Sequence, residues 1–250
     1  MKEAIYGRNA VYELLRANRR QVYKLMVAEG VHEKGHLTEA LQLAQQRSIP
    51  IQRVKRDVLD RLTDSHQGIV AEVDSYPYAT LDDILELANQ RNEPPLILIL
   101  DVIQNPQNLG TLLRTAEAIG AHGVIIPQRR GVEVTQAVVN ASSGASEHLL
   151  IAQVVNLVVA ITELKEREVW VTGLDNLPEA RPLDQANLSG AVALVVGNEG
   201  EGMRRLVRES CDFLVKLPMR GQLDSLNAAV AGSIVLYEIL RQRMKQRTNG

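Results

Sequence analysis

The sequence predicts an α/β protein. A small front domain of alternating strands and helices spans residues 1–73, a connection spans 74–95, and a larger domain over 96–250 is built on a sheet with helices on both faces. Three observations carry this prediction. Short apolar runs alternate with stretches of helical period through residues 1–73, the rhythm of a small α/β unit. Leu96-Ile-Leu-Ile-Leu100 is an unbroken apolar run of the kind buried on both faces of a parallel sheet. Residues 213–217 pass through a polar turn containing Pro218 and Gly221 into a helical apolar repeat over 226–240.

Taken in order, residues 8–16 place Val11, Leu14 and Leu15 on one face of a helix. Residues 22–28 then read as a strand, 37–47 as a helix, 49–54 as a strand, 56–62 as a helix and 68–73 as a strand. The connection holds an extended Tyr76-Pro77-Tyr78 and a short amphipathic helix over 81–88, capped by Thr80 and stopped by Asn92-Glu-Pro-Pro95. After Leu100 the loop Asp101-Val-Ile-Gln-Asn-Pro-Gln-Asn-Leu-Gly110 leads to a helix over 111–119 and a strand over 123–126, a βαβ unit. A helix over 157–167 and strands over 168–172 and 191–196 follow. At the start of the last helix, Asp224 and Ser225 are both good N-cap residues, and Ala228, Ala229, Ala231, Gly232 and Ser233 leave room for a neighbouring backbone or a flat ligand.

Composition excludes several classes. With 250 residues, 45% hydrophobic and 23% charged, the chain is long enough to bury a real core and is neither fibrous nor disordered. It has no apolar run of membrane-span length, and Met1-Lys-Glu-Ala-Ile-Tyr lacks the apolar core of a signal peptide, so a cytoplasmic protein is expected. The single cysteine, Cys211, excludes an intramolecular disulfide and reads as a core residue. Net charge is −2, yet residues 1–73 carry 12 Lys and Arg against 9 Asp and Glu. Two basic clusters stand there: Arg16, Arg19, Arg20 and Lys24, and Arg53, Lys55, Arg56 and Arg61. Each fits a phosphate-binding face or a merely solvated one. His32-Glu-Lys-Gly-His36 spells the HExxH zinc pattern, but Gly35 and the scarcity of apolar residues argue against the stable helix that zinc needs there; no metal is expected.

Three loops carry candidate chemistry. The first holds Asn105, Asn108 and, a turn and a half into the next helix, Arg114, whose guanidinium suits a phosphate. The second, Gly197-Asn-Glu-Gly-Glu-Gly202, packs three glycines into six residues and presents Glu199; its spacing is not that of a dinucleotide fingerprint, and no Walker lysine is present. The third is the turn before the last helix. Each alone is also explained as an ordinary turn.

Together they resemble a family. Asn105-Pro-Gln-Asn-Leu-Gly-Thr-Leu-Leu-Arg-Thr-Ala116, Val195-Val-Gly-Asn-Glu-Gly-Glu-Gly-Met203 and Leu217-Pro-Met-Arg-Gly-Gln-Leu-Asp-Ser-Leu-Asn227 are similar to the three ordered motifs of the SpoU (TrmH-type) branch of SPOUT methyltransferases. The resemblance spans residues 96–243. Tyr6-Gly-Arg-Asn-Ala-Val-Tyr-Glu-Leu-Leu15 resembles the start of the small ribosomal-protein-like RNA-binding domain of the RlmB-like members, which methylate guanosine in 23S ribosomal RNA.

The resemblance implies S-adenosyl-L-methionine-dependent 2′-O-methylation of a ribose, a deep trefoil knot in the sheet domain, and a homodimer formed through the knotted region. Matched residue by residue, it implies catalytic roles for Arg114, Asn108, Glu199, Ser225 and Asn227, and cofactor binding largely by backbone groups at Gly197, Leu217 and Leu226. Arg114 is cast in the family as the base, but a guanidinium keeps its proton; gripping a phosphate and stabilising the developing alkoxide suits it better. Asp224 adds a negative charge beside this site, or simply caps the helix. Expected partners are large-subunit ribosomal RNA or the assembling subunit. A transfer-RNA ribose methyltransferase, and an RNA-binding assembly factor that has lost methyl transfer, are the alternatives; cofactor binding and the RNA labelled discriminate among them.

Overall fold

The computed structural model describes residues 2–222 and 225–249. In chain order its elements begin with β1 (Lys2–Tyr6), α1 (Arg8–Ala17), β2 (Val22–Ala28), α2 (His36–Gln46), β3 (Ile51–Val54), α3 (Arg56–Asp60), β4 (Ile69–Asp74), α4 (Leu81–Gln90), β5 (Leu96–Leu100), α5 (Pro106–Ala118) and β6 (Gly123–Pro127). They continue with α6 (Gln136–Ala141), β7 (Ile151–Val154), α7 (Leu157–Glu166), β8 (Trp170–Leu174), β9 (Arg181–Pro182), β10 (Val192–Val196), α8 (Arg205–Ser210), β11 (Phe213–Lys216) and α9 (Ala228–Asn249). The chain forms two compact units, Met1–Pro77 with Val134–His148, and Tyr78–Glu133 with Leu149–Gly250.

The first unit is a four-stranded sheet in the order β1-β4-β2-β3, antiparallel except for the β2–β3 pair. Helix α1 buries Ala10, Val11, Leu14 and Leu15, the face read from its periodicity, and ends at Asn18 in the left-handed region. Strand β1 escaped the sequence reading because it is an edge strand with one fully buried side chain, Ile5. The unit also takes in residues 134–148, which the sequence reading gave to the larger domain. A buried ion pair anchors them: the Arg20 guanidinium, wholly shielded, donates to Glu147 at 2.8 Å and to Glu3 at 3.1 Å, and lies over the Tyr76 ring. Tyr76 in turn donates to the Ser146 carbonyl at 2.9 Å. Because Arg20 is buried and Arg19 donates to Tyr76 and to the carbonyls of Pro77 and Glu147, these two members of the first basic cluster hold the unit together.

The second unit is a seven-stranded sheet in the order β7-β6-β5-β10-β8-β11-β9, parallel at every pairing. Strands β5 and β10 lie at its centre, in register from Leu96 opposite Val192 to Leu100 opposite Val196, and are buried throughout. This is why both read as unbroken apolar runs. Helix α4, assigned by sequence to the connection, is part of this core: Leu81, Ile84 and Leu85 pack with Ile97, Ile99 and Ile161, and Ile84 fills the space a side chain at Gly123 would need. Its capping box forms as expected, with Thr80 and Asp83 bonding reciprocally. Helix α9 lies against α5, where Thr115 and Ser233 hydroxyls meet at 2.8 Å, and Gly232 allows the approach: a Cβ there would come within 2.7 Å of Leu112. Strands β7 and β9 and helix α8 are too short to have left a periodic signal. Among the described residues no helix is long and apolar enough to cross a membrane.

Candidate functional site

At the carboxyl ends of β10, β8 and β11 the sheet opens into a cavity of 310 Å³, where ligands collect in open α/β sheets. Its wall is the glycine turn. Strand β10 runs into Gly197, whose missing Cβ matters, since one would stand 2.3 Å from the Gly202 carbonyl carbon and the Met203 nitrogen. The turn closes on itself through Asn198 N–H to Gly202 O at 3.0 Å and Gly202 N–H to Asn198 O at 2.9 Å, with Gly202 at φ +67°. Opposite, Leu217 and Met219 follow β11 into the cavity, while the Lys216 ammonium donates to the Leu177 and Pro178 carbonyls at 3.1 Å each, holding the loop after β8 in place. Ser225 and Leu226 complete the lining. All three expected cofactor residues, Gly197, Leu217 and Leu226, therefore face one cavity.

Beside it, three of the expected polar residues meet. The Asn227 amide nitrogen donates to Asn108 Oδ1 at 3.1 Å and to Glu199 Oε1. Its oxygen accepts from the Ala229 and Val230 N–H groups, at 3.0 and 3.1 Å. Asn227 is thus the N-cap of α9, a role the sequence reading gave to Asp224 or Ser225. Ser225 lies before the helix, exposed on the cavity rim, and Asp224 falls outside the described residues. Helix α5 likewise starts earlier than expected: Asn105 caps it by accepting from Gln107 N–H at 2.8 Å, and Pro106 takes the first position. Asn108 is accordingly in the first turn of α5 and not in a loop. Arg114 is exposed on the same helix, six residues further along, about 9 Å of helical rise.

Sequence reasoning missed two groups in this region. Asp101, fully buried, accepts from both the backbone N–H and Nε of Arg204, each at 2.7 Å, tying the end of β5 to the glycine turn. Its position directly after the apolar β5 run was the available signal. Asp175 lines the cavity from a stretch with no readable pattern. Elsewhere, α2 begins at His36, with Gly35 at φ +60° before it, so His32 and His36 do not share a helical face; His36 stacks on Tyr12 and bonds Asn9 at 2.8 Å. Burial pushes the Cys211 thiol up to about 12, which keeps it protonated and without a nucleophilic role.

The fold and this site define a class of methyltransferase, and comparison with known proteins gives it a name. The SpoU rRNA Methylase family matches residues 95–237, and the family described as RNA 2′-O ribose methyltransferase substrate binding matches residues 4–79. The chain belongs to the SpoU family: it is an S-adenosylmethionine-dependent RNA 2′-O-ribose methyltransferase. It is 48% identical over 242 residues to the TrmH family tRNA/rRNA methyltransferase YacO of Bacillus subtilis (strain 168), covering 96% of this chain and 95% of that one. Its structure resembles the SpoU methyltransferase AviRb of Streptomyces viridochromogenes in complex with AdoMet, with a TM-score of 0.82 and 24% identity over 98% of this chain and 91% of that one. The TrmH/SpoU tRNA modifying enzyme of A. aeolicus superposes with a TM-score of 0.56 and 27% identity, over 66% of this chain and 86% of that one.

The cavity fits this cofactor chemically. Gly197 lets the turn that walls the cavity fold back on itself, since a Cβ would strike the Gly202 and Met203 backbone, while Leu217, Met219 and Leu226 offer apolar walls to a base and the carboxylates of Asp175, Glu199 and Glu201 suit a cationic sulfonium.

Proposed function

We propose that this chain methylates the 2′-oxygen of one ribose, that of a guanosine, in 23S ribosomal RNA of the cytoplasm. The observation that carries the ribosomal assignment is the front unit: a substrate-binding module matches residues 4–79, whereas the tRNA modifying enzyme corresponds to only 66% of this chain. Within that unit, the exposed second basic cluster, Arg53, Lys55, Arg56 and Arg61, supports RNA contact; Arg56 and Arg61 stand 3.9 Å from their carboxylate neighbours, loose pairs that a phosphate can displace.

S-adenosylmethionine, when bound, supplies an electrophilic methyl group on a sulfonium. Gly197, Leu217 and Leu226 would hold it. The chain's own part in the reaction is alignment and charge. Asn227 fixes Asn108 and Glu199 against a helix terminus, so a ribose hydroxyl reaching Glu199 meets a carboxylate that is already oriented. Arg114 grips the phosphate beside the target ribose and stabilises the alkoxide as it forms. Proton removal falls to a more basic group or to solvent, and Ser225 offers a hydroxyl at the cavity rim. Replacing Arg114 with Lys tests this: substantial retained activity, rising at high pH, would count against bidentate phosphate positioning.

The family's trefoil knot and homodimer are part of the same proposal. On α9, Val230, Ile234 and Tyr237 continue an exposed apolar stripe from Leu226, each 41–63% accessible, and a second copy covering it accounts for such a face. Sedimentation of a Tyr237→Asp variant as a monomer, with the parent sedimenting as a dimer, is the expected result.

The deciding experiment supplies purified protein and tritiated S-adenosylmethionine with unmodified large-subunit ribosomal RNA or with transfer RNA, then maps the alkali-resistant riboses. Label at one ribosomal guanosine, lost in Arg114→Ala, is expected. Label in transfer RNA alone would transfer the function to that substrate. Cofactor binding without label in either would point to a precursor particle, and no cofactor binding to a non-catalytic assembly factor.

A further inference from the structure

A second cleft, of 480 Å³, lies on the other side of the glycine turn, lined among others by Gln104, Arg130, Arg204 and Arg205. Its residues follow the carboxyl ends of β5, β6 and β10, so it belongs to the ligand-binding edge of the sheet without being part of the cofactor cavity. The two share Asn198, Glu201 and Gly202 as a partition.

We infer that this cleft binds a phosphodiester of the RNA strand next to the target ribose, with Arg204 as its fixed point and Arg130 and Arg205 as flanking cations. This rests on the reading of the chain as an RNA ribose methyltransferase and adds where the strand's backbone is held. Arg204 is built for the task. Asp101 takes its backbone N–H and Nε at 2.7 Å each, and the carboxylate is fully buried, so the guanidinium plane is set before RNA arrives. The side chain stays 43% exposed, and Asp101 engages neither terminal nitrogen, which leaves the outer edge of the fork for an anion. A pre-set fork loses little freedom when it binds phosphate bidentately. The counter-charges stand behind the cations: Asp101 is buried, and Glu209, which accepts from Arg205 Nη1 at 2.9 and 3.0 Å, lies one helical turn further on. Glu201 is the one carboxylate in the lining, on the partition itself. Val102 adds apolar surface for the sugar.

The test measures the affinity of the full-length protein for unmodified large-subunit ribosomal RNA and for transfer RNA across a salt series, together with S-adenosylmethionine affinity by calorimetry. Arg130→Gln and Arg205→Gln remove exposed charges with little risk to folding. Each is expected to lower the slope of log affinity against log salt by about 0.7, the value for one single-strand phosphate contact, with cofactor affinity unchanged. Arg204→Lys keeps the charge and loses the fork; RNA affinity should fall about tenfold with the slope retained. Folded variants that bind RNA with parental affinity and slope would overturn the inference, as would variants that lose cofactor affinity instead. Because binding is read without turnover, failure of the ribosomal assignment shows separately, as absence of label in that RNA while the arginine variants still weaken RNA binding.

Discussion

Asn227 performs two jobs with one amide, and the two can be separated by substitution. Its oxygen caps α9 and its nitrogen holds Asn108 and Glu199. Asn227→Ala removes both and should cost about 1 kcal/mol of stability through the lost cap. Asn227→Asp keeps an acceptor for the cap but sets a carboxylate against Glu199, so it should fold better than the alanine variant while losing at least tenfold in methyl transfer. Denaturant melts and single-turnover labelling check this pair; a fully active Asn227→Asp enzyme would show that the amide nitrogen is dispensable. Gly197 makes a sharper case. A methyl group 2.3 Å from backbone atoms of Gly202 and Met203 cannot be relieved by a side-chain rotation. Gly197→Ala should therefore reshape the turn and abolish measurable S-adenosylmethionine binding in calorimetry, beyond any loss of stability of about 1–3 kcal/mol.

At the scale of elements, what the sequence disclosed depended on how local the cause was. The apolar runs of β5 and β10 announced the centre of the sheet, and the small residues after Asn227 announced close packing of α9, which Gly232 confirms against Leu112 and Val196. Helix starts were less legible, because Asn, Asp and Ser are all competent caps and only the folded backbone decides which one is used. Asn105 and Asn227 won over their neighbours, moving both helix starts. The Asp101–Arg204 tie was invisible, since it joins residues 103 apart in sequence and leaves no periodic mark. The packing of α9 yields its own prediction. At Gly232 the first carbon added already stands 2.7 Å from Leu112 Cδ2 and 3.1 Å from Val196 Cγ2, so Gly232→Ala asks two side-chain ends to give, and the two further carbons of Gly232→Val add to the same crowding. The valine variant should lose about 1–3 kcal/mol and the alanine variant markedly less, by urea denaturation.

At the scale of the whole molecule, the front unit is discontinuous in sequence, which no reading of residues 1–73 could disclose. Residues 134–148 close it, and the Arg20–Glu147 pair is the fastening, with side chains 0% and 1% exposed. Burial holds the Glu147 carboxyl above the usual carboxylate range, a loss of solvation that its pairing with Arg20 offsets only in part. The native state therefore binds this proton more tightly than the unfolded chain does. Stability contributed by the group is fully present below the ordinary glutamate range and declines as pH rises through the raised folded value. Glu147→Gln, which keeps an acceptor for Arg20 and cannot ionise, should flatten that decline. Removing the cation instead exaggerates it: Arg20→Met leaves Glu147 buried without its guanidinium partner and should destabilise the unit by about 3–5 kcal/mol near neutral pH. Acidification, by protonating Glu147, should restore much of that loss. Hydrogen exchange of the β1 and β4 amides, followed from neutral to acid pH, reads this directly; equal protection of the Arg20→Met variant at both ends of the range would show that the fastening is made by packing on Tyr76 and not by charge.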